Sequence, residues 1–372
     1  MRILLTGAEG FLGWHTRCLL HATTDHRVTG IGRGQWGELP APVADVDAVL
    51  HLAGVNRATD EELATGNAQL ADDVAAAVRA AGRPVTIVFA NSIRVGNGSS
   101  YAEGKSRAAE TLRAVADEVG GRFVDVMLPN LFGEHGRPAY NSFVASFVAA
   151  VIKGESPRHR GSTDRAAARP GRRPLVGGRA HRRRRPGPAG RHADVGPGRL
   201  GEPAAVPRHL RPRGDVPDMA SALEADLFNT YRAALFPSHY PIVLEPRVDP
   251  RGRLVETVRS HGSGGQTFVS TTVPGITRGE HYHLHKIERF AVLSGTARIS
   301  LRRLFHTETT HFDVTGESPV AIDMPTMWVH NITNTGDTEL TTLFWTDSLF
   351  DPDNPDTFPV PVAGAAELEL TP

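Results

Sequence analysis

Short apolar runs alternate with amphipathic stretches through the N-terminal third of the chain. Ile3–Leu5 has the pattern of a buried strand, Phe11–His21 has the spacing of an amphipathic helix, and Arg27–Ile31 has the pattern of a second strand. Further apolar runs follow at Val46–Gly54 and Thr86–Ala90. Strands that alternate with helices are typical of a parallel sheet. The pattern therefore predicts an α/β, Rossmann-like N-terminal domain.

The first predicted strand ends in a glycine-rich turn. Glycines in such a turn allow a tight bend, a close approach of the backbone to a pyrophosphate, and close packing of the following helix on the strand. The N-terminus of that helix would then face the phosphates. At the end of the run Val46–Gly54, small residues would let the cofactor lie against the sheet. The cofactor contacts predicted in these segments are Gly7, Gly10, Phe11, Leu12, Gly13, Leu52, Ala53 and Gly54.

The residue that follows the second predicted strand bears on the choice of cofactor. An acidic side chain near this place would bind the ribose 2′-hydroxyl of NAD, whereas an arginine suits the 2′-phosphate of NADP. The chain has Arg33 here. A solvated loop arginine would look the same in the sequence, so both interpretations stay open. The first of them predicts NADPH.

A serine, a tyrosine and a lysine follow the strand predicted at Thr86–Ala90. Tyr101 and Lys105 are four residues apart and share one face of a helix, while Ser92 lies just beyond the strand. A lysine cation beside a phenol lowers the pKa of the phenol, so Tyr101 could exchange a proton with a substrate oxygen near neutral pH. Ser92 can hydrogen-bond the same oxygen. A surface pair has the same spacing, but the glycine-rich turn upstream favours a catalytic set.

These residues together resemble the extended short-chain dehydrogenase/reductase family. The resemblance covers roughly residues 1–155 and is carried by Thr6–Gly13, His51–Gly54, Ser92, Tyr101 and Lys105. The run Leu128–Gly133 resembles the family's segment beside the nicotinamide, so Asn130 joins the predicted cofactor contacts. One departure is the connection between Ile31 and Val46, which has little room for a full strand–helix–strand step.

Ligand-type side chains are concentrated in the last third of the chain. His281 and His283 are one residue apart, and this spacing points both rings to the same face of an extended strand. Glu288 follows, and His330 lies further along. Three imidazoles and one carboxylate on an apolar β framework form a ligand set for Zn²⁺ or another borderline divalent metal. A histidine-rich hairpin exposed to solvent is the alternative.

The spacing of these residues resembles the two sequence motifs of the cupin barrels. The first motif runs through Gly275, His281, His283, Glu288 and Gly295, and the second through Pro325, His330 and Asn334. Met327 stands where the second motif usually has glycine. The resemblance implies an all-β C-terminal domain, a double-stranded β-helix with the metal inside its mouth.

The composition changes abruptly between Arg158 and Gly214. This stretch has 16 arginines and no lysine, contains only three acidic residues, and lacks Phe, Ile, Met, Trp and Tyr. It carries about +13, so the formally neutral chain is about −13 elsewhere. Such a composition cannot bury enough apolar surface to complete a core. A basic arm that binds nucleic acid is one interpretation, but a GC-rich gene read in the wrong frame gives the same composition, and we favour paired frameshifts.

Several further runs resemble the CapF-type enzymes of capsular polysaccharide synthesis, in which a reductase is fused to a cupin. These runs are Gly54–Arg57, Asn141–Val144, Leu227–Arg232 and Asp249–Gly252. The resemblance implies an NADPH-dependent bifunctional enzyme acting on a UDP-4-keto-6-deoxy-hexosamine. The cupin would epimerise C3, and the reductase would then reduce the C4 ketone, which yields a precursor of N-acetyl-L-fucosamine.

The predicted organisation has four parts. Residues 1–157 form the reductase domain, 158–214 the anomalous segment, 215–240 a connecting helix and linker, and 241–372 the cupin. The connecting helix is expected at Ala220–Phe236, before Pro237. If the frameshift hypothesis holds, part of the sugar-nucleotide pocket is lost.

The chemistry of the cupin leaves two questions open. C3 lies α to the C4 ketone, so its proton is acidic, and a Lewis-acid metal could stabilise the enediolate. His285, Lys286 and Tyr282 are candidates for the base. By its spacing His285 lies on the same strand face as His281 and His283, so it could also be a ligand or polar lining. The other function classes are a cupin-only sugar-nucleotide epimerase or isomerase, and a ligand-binding cupin, each with an inactive reductase domain.

Cysteine content and hydropathy bear on the compartment and the partners. Cys18 is the single cysteine, so no internal disulfide can form and a reducing cytoplasm is expected. The chain enters directly into a predicted strand rather than a signal sequence, and no apolar run is long enough to span a bilayer. We expect a UDP-sugar substrate, no nucleic-acid or membrane partner, and a homodimer.

Overall fold

The computed structural model describes residues 1–155, 214–219, 221–262 and 264–364. Apart from Gly214, the anomalous segment 158–214 lies outside the described residues, and the frameshift hypothesis stays a prediction. The limits of the four predicted parts stay predictions as well. None of the described helices combines the length and the apolar character needed to cross a bilayer.

The N-terminal domain is a parallel sheet flanked by helices, as predicted. Its strands are β1 (Arg2–Thr6), β2 (Arg27–Ile31), β3 (Ala48–His51), β4 (Thr86–Ser92) and β5 (Arg122–Leu128). Its helices are α1 (Phe11–Thr23), α2 (Pro40–Val43), α3 (Asp60–Ala81), α4 (Ser100–Glu118) and α5 (Phe143–Ile152). The sheet order is β2-β1-β3-β4-β5, and every pairing is parallel. The Rossmann-like fold is confirmed.

The connection from β2 to β3 is as short as the sequence indicated. It contains only a 3₁₀ turn at Trp36–Glu38 and the single-turn helix α2. The chain forms no further strand between β2 and β3, so β2 is one edge of the sheet. The other edge among the described residues is β5, on which the side chains of Val126 and Met127 are exposed by 36% and 45%.

The core of this domain lies between the sheet and helices α3 and α4. Leu4, Val49 and Ile87 of three neighbouring strands are fully buried, and Val78 and Leu112 of the helices pack against them. Helix α3 begins with a reciprocal capping box between Thr59 and Glu62 and ends at Gly82 in the left-handed conformation. These caps fix both ends of the helix that follows β3.

The C-terminal domain is all β, as the cupin resemblance implied. Its strands are β6 (Ile242–Val243), β7 (Arg247–Asp249), β8 (Gly252–Leu254), β9 (Gln266–Thr272), β10 (Thr277–Tyr282), β11 (Glu288–Ser294), β12 (Thr296–Arg303), β13 (Thr309–Thr315), β14 (Val320–Met324), β15 (Trp328–Asn334), β16 (Leu340–Thr346) and β17 (Phe358–Pro359). Two five-stranded sheets have the orders β13-β12-β15-β10-β17 and β6-β14-β11-β16-β9, and β7 and β8 form a separate hairpin. Apolar side chains from both sheets, such as Phe290, Ile299 and Ile332, form one core.

Helix α6 (Ala222–Leu235) joins the domains at the predicted place. A capping box between Ser221 and Glu224 begins it. Arg232 on this helix is buried with its Nε 3.7 Å from Asp323 Oδ2. Arg289 of β11 pairs with the same carboxylate at 2.5 and 3.0 Å, which offsets the cost of burying the charges. The ion cluster of Arg232, Asp323 and Arg289 therefore attaches α6 to the outer face of the cupin sheet.

Helix α1 also packs on the cupin. Trp14 is 2% exposed, and its indole nitrogen donates to the carbonyl of Leu304 at 2.9 Å. Cys18 lies in the same apolar cluster, which includes Tyr282 and Met327 of the cupin. Glu134 lies in the loop after β5, and its Oε1 accepts a hydrogen bond from the hydroxyl of Thr326 at 2.6 Å. The helix behind the glycine-rich turn and the loop after β5 thus both contact the cupin.

Candidate cofactor site and metal centre

The glycine-rich turn has the close contacts that the sequence predicts. Gly7 is left-handed (φ +72°), and a Cβ at this position would lie 2.8 Å from the backbone nitrogen of Ala53. A Cβ at Gly13 would lie 2.0 Å from the carbonyl oxygen of Gly7. Neither position has room for a side chain, so the turn, the start of α1 and the end of β3 are packed backbone against backbone.

The N-terminus of α1 can accept an anion. Its N-cap residue is Gly10, and no side chain caps the helix. The first backbone N–H groups therefore point outward without an intrahelical acceptor, and the helix dipole favours negative charge there. Phe11 and Leu12 begin the helix and are partly buried. The turn fits the pyrophosphate of a dinucleotide.

Lys105 lies between the ends of β3 and β4. Its Nζ donates to the carbonyl of Ala90 at 2.9 Å and would lie 3.3 Å from a Cβ at Gly54. Burial lowers the pKa of Lys105 to about 8, while the carboxylate of Asp125 opposes this shift. The lysine is therefore fixed next to the strip Leu52–Gly54, where the cofactor was predicted to lie.

Tyr101 and Ser92 lie close together, as predicted, but the pKa of the phenol moves in the unexpected direction. Burial raises the pKa of Tyr101, and interactions with Ser92 and then Arg94 only partly offset the rise. Lys105 is not among the causes of this shift, and its ammonium donates to the carbonyl of Ala90. The expectation that the lysine lowers the phenol pKa is therefore wrong for this arrangement. A phenol that keeps its proton suits a proton donor.

The end of β2 carries two opposite charges. Arg33 is exposed in the predicted position after the strand. The carboxylate of Glu9, from the glycine-rich turn, lies against Gly32: a Cβ there would be 2.7 Å from its carboxylate carbon. Sequence reasoning missed Glu9, although an acidic residue inside the turn was visible. Both side chains can reach a ribose bound at this strand end.

Two other polar residues lie at or just beyond strand ends of this sheet. Asn130 is exposed, and no contact places it with Tyr101 or Lys105, so its cofactor role stays a prediction. His51 is buried at the end of β3, where its Nδ1 lies 2.8 Å from Thr6 Oγ1. Burial, followed by the charge of Lys105, lowers the pKa of His51 to about 3. The ring is therefore neutral and serves packing.

The four predicted metal ligands do come together. His281, His283, Glu288 and His330 each offer a ligand atom within 4.8 Å of the others. His281 and His330 are directly paired across β10 and β15, while Glu288 begins β11 in the opposite sheet. Ligand atoms around a tetrahedral Zn²⁺ lie roughly 3.4 Å apart, given Zn–N distances near 2.1 Å. The cluster has the size and the donor set for such an ion.

The hydrogen bonds of two histidines turn their free nitrogens inward. His283 Nδ1 donates to the carbonyl of Asp356 at 2.6 Å, and His330 Nδ1 donates to that of Trp328 at 3.0 Å. Nε2 of each ring faces Glu288 Oε2 at 3.1–3.2 Å. Two imidazole nitrogens and a carboxylate oxygen that converge in this way can share one divalent cation. This contact is the strongest sign that the residues fit a metal.

Two pKa shifts agree with a cation site. Burial raises the pKa of Glu288, but hydrogen bonds and charges from His283 and His330 outweigh it and hold the pKa well below its usual range. Burial, followed by the charges of His330 and His283, lowers the pKa of His281 to about 3. The four side chains are thus a carboxylate with at least one neutral imidazole at neutral pH, which is the form that binds metal.

The three candidate bases are all directed elsewhere. Strand β10 ends at Tyr282, so the alternation that would place His285 beside the other histidines does not continue, and His285 is exposed. Tyr282 is fully buried and its hydroxyl lies 2.7 Å from His21 Nδ1. Lys286 Nζ donates to Thr357 at 3.1 Å. The predicted face for His285 is therefore wrong.

Met327 replaces the usual glycine without changing the backbone. Its φ is +61°, the left-handed conformation that a glycine there would adopt freely. The side chain is buried beside Trp14, and the backbone nitrogen donates to the carbonyl of His283 at 2.7 Å. Packing against α1 thus offsets the conformational cost of the positive φ. The turn still contacts His283 on one side and leads on the other into β15, which carries His330.

Comparisons with known proteins match both halves of the chain. The NAD dependent epimerase/dehydratase family matches residues 3–169, and the polysaccharide biosynthesis C-terminal domain matches residues 247–358. A UDP-2-acetamido-2,6-beta-L-arabino-hexul-4-ose reductase of Pseudomonas aeruginosa is 30% identical over 98% of this chain and 100% of its own. The crystal structure of the capsular polysaccharide assembling protein CapF from Staphylococcus aureus is 26% identical, with a TM-score of 0.50, over 97% of this chain and 100% of that one.

The fold and the two sites define a nicotinamide-dependent reductase fused to a cupin. The Rossmann sheet with its glycine-rich turn carries the first function, and the double sheet with three histidines and a glutamate forms the second domain. The chain belongs to the family of the Pseudomonas UDP-sugar reductase and of CapF. The resemblance noted in the sequence is confirmed.

Proposed function

We propose that this chain epimerises C3 of a UDP-4-keto-6-deoxy-hexosamine at the cupin and reduces the C4 ketone with NADPH at the Rossmann domain, as a homodimer in the cytoplasm. The product would be a precursor of N-acetyl-L-fucosamine-type surface polysaccharide. The observation that carries the proposal is the convergence of the His283 and His330 Nε2 atoms on the Glu288 carboxylate in a chain that also places Tyr101 beside Ser92. The relative from Pseudomonas acts, by its name, on a hexul-4-ose.

The cupin site would handle the acidic C3 proton. When Zn²⁺ or another divalent metal is bound by His281, His283, Glu288 and His330, it supplies a Lewis acid that lowers the free energy of an enediolate. The surrounding side chains, among them Phe290 and Met324, are apolar, which strengthens electrostatic interactions at the cluster. Loss and return of the proton on opposite faces would invert C3.

The Rossmann site would complete the reaction at C4. The nicotinamide cofactor supplies a hydride, and Tyr101, kept protonated by burial, would donate a proton to the ketone oxygen. Ser92 would hold that oxygen by a hydrogen bond. Lys105, fixed between Ala90 and Gly54, would contact the cofactor on the strip beside β3.

The proposal is tested with the 4-keto sugar nucleotide in D₂O. Solvent deuterium should enter at C3 without cofactor, and NADPH should be oxidised once it is added, with one reduced sugar formed per NADPH. Exchange without oxidation would leave a cupin enzyme alone. Oxidation without any C3 deuterium in the product would remove the epimerase half.

The preference for NADPH is proposed from Arg33 and gives a first prediction. Arg33→Asp replaces attraction for the 2′-phosphate by repulsion, and a lost hydrogen bond between charged groups costs about 1.5–3 kcal/mol. We expect kcat/KM for NADPH to fall roughly tenfold or more, with little change for NADH. Steady-state kinetics with both cofactors measures this. Equal losses for both would contradict the assignment.

Glu9 supplies the matched variant for that measurement. Its carboxylate lies at the same strand end and would oppose a 2′-phosphate. Because both groups are exposed, Glu9→Gln should raise the NADPH/NADH ratio by only roughly two- to fivefold. A ratio that falls instead would mean that Glu9 binds the ribose of NADPH itself.

A second candidate function keeps the cupin chemistry but lacks the reductase. It is favoured by the composition of residues 158–214, whose 16 arginines and few apolar side chains cannot complete the core of a reductase. The hypothesis of a frameshift at 158–214 gives a reason, because that segment follows α5 closely. The chain would then be a cupin epimerase or isomerase, or a ligand-binding cupin.

Resequencing the DNA across codons 155–215 separates the two candidates. If the frame is restored there, the chain with the restored frame should oxidise NADPH faster than the written chain, while C3 exchange should be the same in both. Confirmation of the written frame together with brisk reduction would remove the frameshift hypothesis and the second candidate.

A further inference from the structure

The turn between His283 and Glu288 has an unusual arrangement of backbone hydrogen bonds. Its four residues, 284–287, lie outside β10 and β11, so their N–H groups have no strand partner. Ile287 N donates to Asp347 Oδ1 at 2.9 Å. The other three N–H groups all donate to one side chain, that of Asp356.

Asp356 holds this turn by both its side chain and its backbone. Its Oδ1 accepts from Leu284 N at 2.9 Å, and its Oδ2 accepts from His285 N at 2.9 Å and Lys286 N at 2.7 Å. Its carbonyl oxygen accepts from His283 Nδ1 at 2.6 Å. One residue thus binds four consecutive residues that begin at a metal ligand.

The backbone of Asp356 is adapted to this task. Its φ is +44°, a left-handed conformation that aspartate, asparagine and glycine tolerate and other residues disfavour. Strand β17 follows directly and pairs with β10, so that Phe358 lies opposite Tyr282 and Pro359 opposite His281. The pairing with β10, which carries His281, therefore holds the Asp356 carbonyl in place.

We infer that Asp356 is a positioning residue of the metal centre. It fixes the tautomer and the direction of His283, and it fixes the conformation of the turn that leads from His283 to Glu288. The inference rests on the proposed metal centre. The same carboxylate also holds the backbone of His285 and Lys286, two of the candidate bases. A free turn would let the imidazole rotate and would leave its Nδ1 without an acceptor.

Metal binding by the full chain tests this role without any substrate. Metal-stripped protein is titrated with Co²⁺, and a chelator competition gives the affinity for Co²⁺ and Zn²⁺. Asp356→Gly keeps the left-handed backbone and removes the carboxylate, so we expect about 10- to 100-fold weaker binding and an altered visible Co²⁺ spectrum. Asp356→Asn keeps the backbone and one acceptor, and should lie between this variant and the wild type.

The control removes the same charge from the same loop. Asp353 is exposed, and Asp353→Asn should bind Co²⁺ with the wild-type affinity and spectrum. Wild-type affinity and spectrum in both Asp356 variants would overturn the role of Asp356 but leave the metal centre standing. No Co²⁺ binding by the wild-type chain would overturn the metal centre and this inference together. Retention of the near-ultraviolet spectrum by Asp356→Asn shows that weakened binding does not come from unfolding.

Discussion

Tyr101→Phe should lower the rate of ketone reduction by about 100- to 10,000-fold, the usual contribution of a positioned proton donor. The phenylalanine ring keeps the packing of a half-buried side chain, and only the hydroxyl is lost. Solvent-deuterium exchange at C3 should be unchanged, because its chemistry belongs to the cupin cluster. NADPH oxidation and mass spectrometry of the recovered sugar measure the two steps separately.

Tyr140→Phe is the matched control for this experiment. Tyr140 is 46% exposed and has not been placed at either site, so removal of its hydroxyl should leave both rates within about twofold, as for most surface substitutions. If Tyr101→Phe also abolished exchange, the model of two separate sites would fail. If reduction survived, another group would have to protonate the C4 oxygen.

The elements that sequence could predict are those with a local periodic signal. Strand β1, the glycine-rich turn and α1 follow from apolar runs and from glycines whose Cβ atoms have no room. Helix α6 was visible because Ser221 and Glu224 form a capping box and Pro237 follows its end. The metal ligands were predictable because the cupin motif fixes their spacing.

The errors occurred where long-range contacts override the local pattern. His285 has the parity of His281 and His283, but the strand ends at Tyr282, and the reason is the carboxylate of Asp356, some 70 residues further along the chain. No periodicity can reveal such a partner. The direction of the Tyr101 pKa shift was mistaken for a similar reason, since it is set by the burial of the phenol in the folded chain.

The contacts between domains were also beyond sequence reasoning. Trp14 belongs by its spacing to the buried face of α1, but nothing in the sequence shows that its indole nitrogen bonds Leu304 of the cupin. The left-handed Met327 is explained by the same interdomain cluster, because its side chain is buried there together with Trp14. The departure of Met327 from the second cupin motif is therefore explained only by its packing against the N-terminal domain.

His330→Ala should abolish stoichiometric metal binding and lower C3 exchange by at least about 100-fold, since the loss of Lewis-acid stabilisation costs several kcal/mol. His330 is fully buried, and its loss also leaves Glu288 with one fewer partner. Elemental analysis of purified protein should show about one divalent ion per wild-type chain.

The control for the metal prediction is His311→Ala on strand β13. This histidine is exposed and its Nδ1 lies 2.9 Å from Ser300 Oγ, away from the cluster, so the variant should keep both metal and exchange. Addition of NADPH should still give slow reduction of the unepimerised ketone by His330→Ala if the reductase accepts it, because Tyr101 and Lys105 do not depend on the cupin ligands. Full metal content in His330→Ala would show that the ligand set is wrong. Loss of metal with undiminished exchange would show instead that the proton at C3 is removed without a Lewis acid, and the three histidines and Glu288 would then have a structural role.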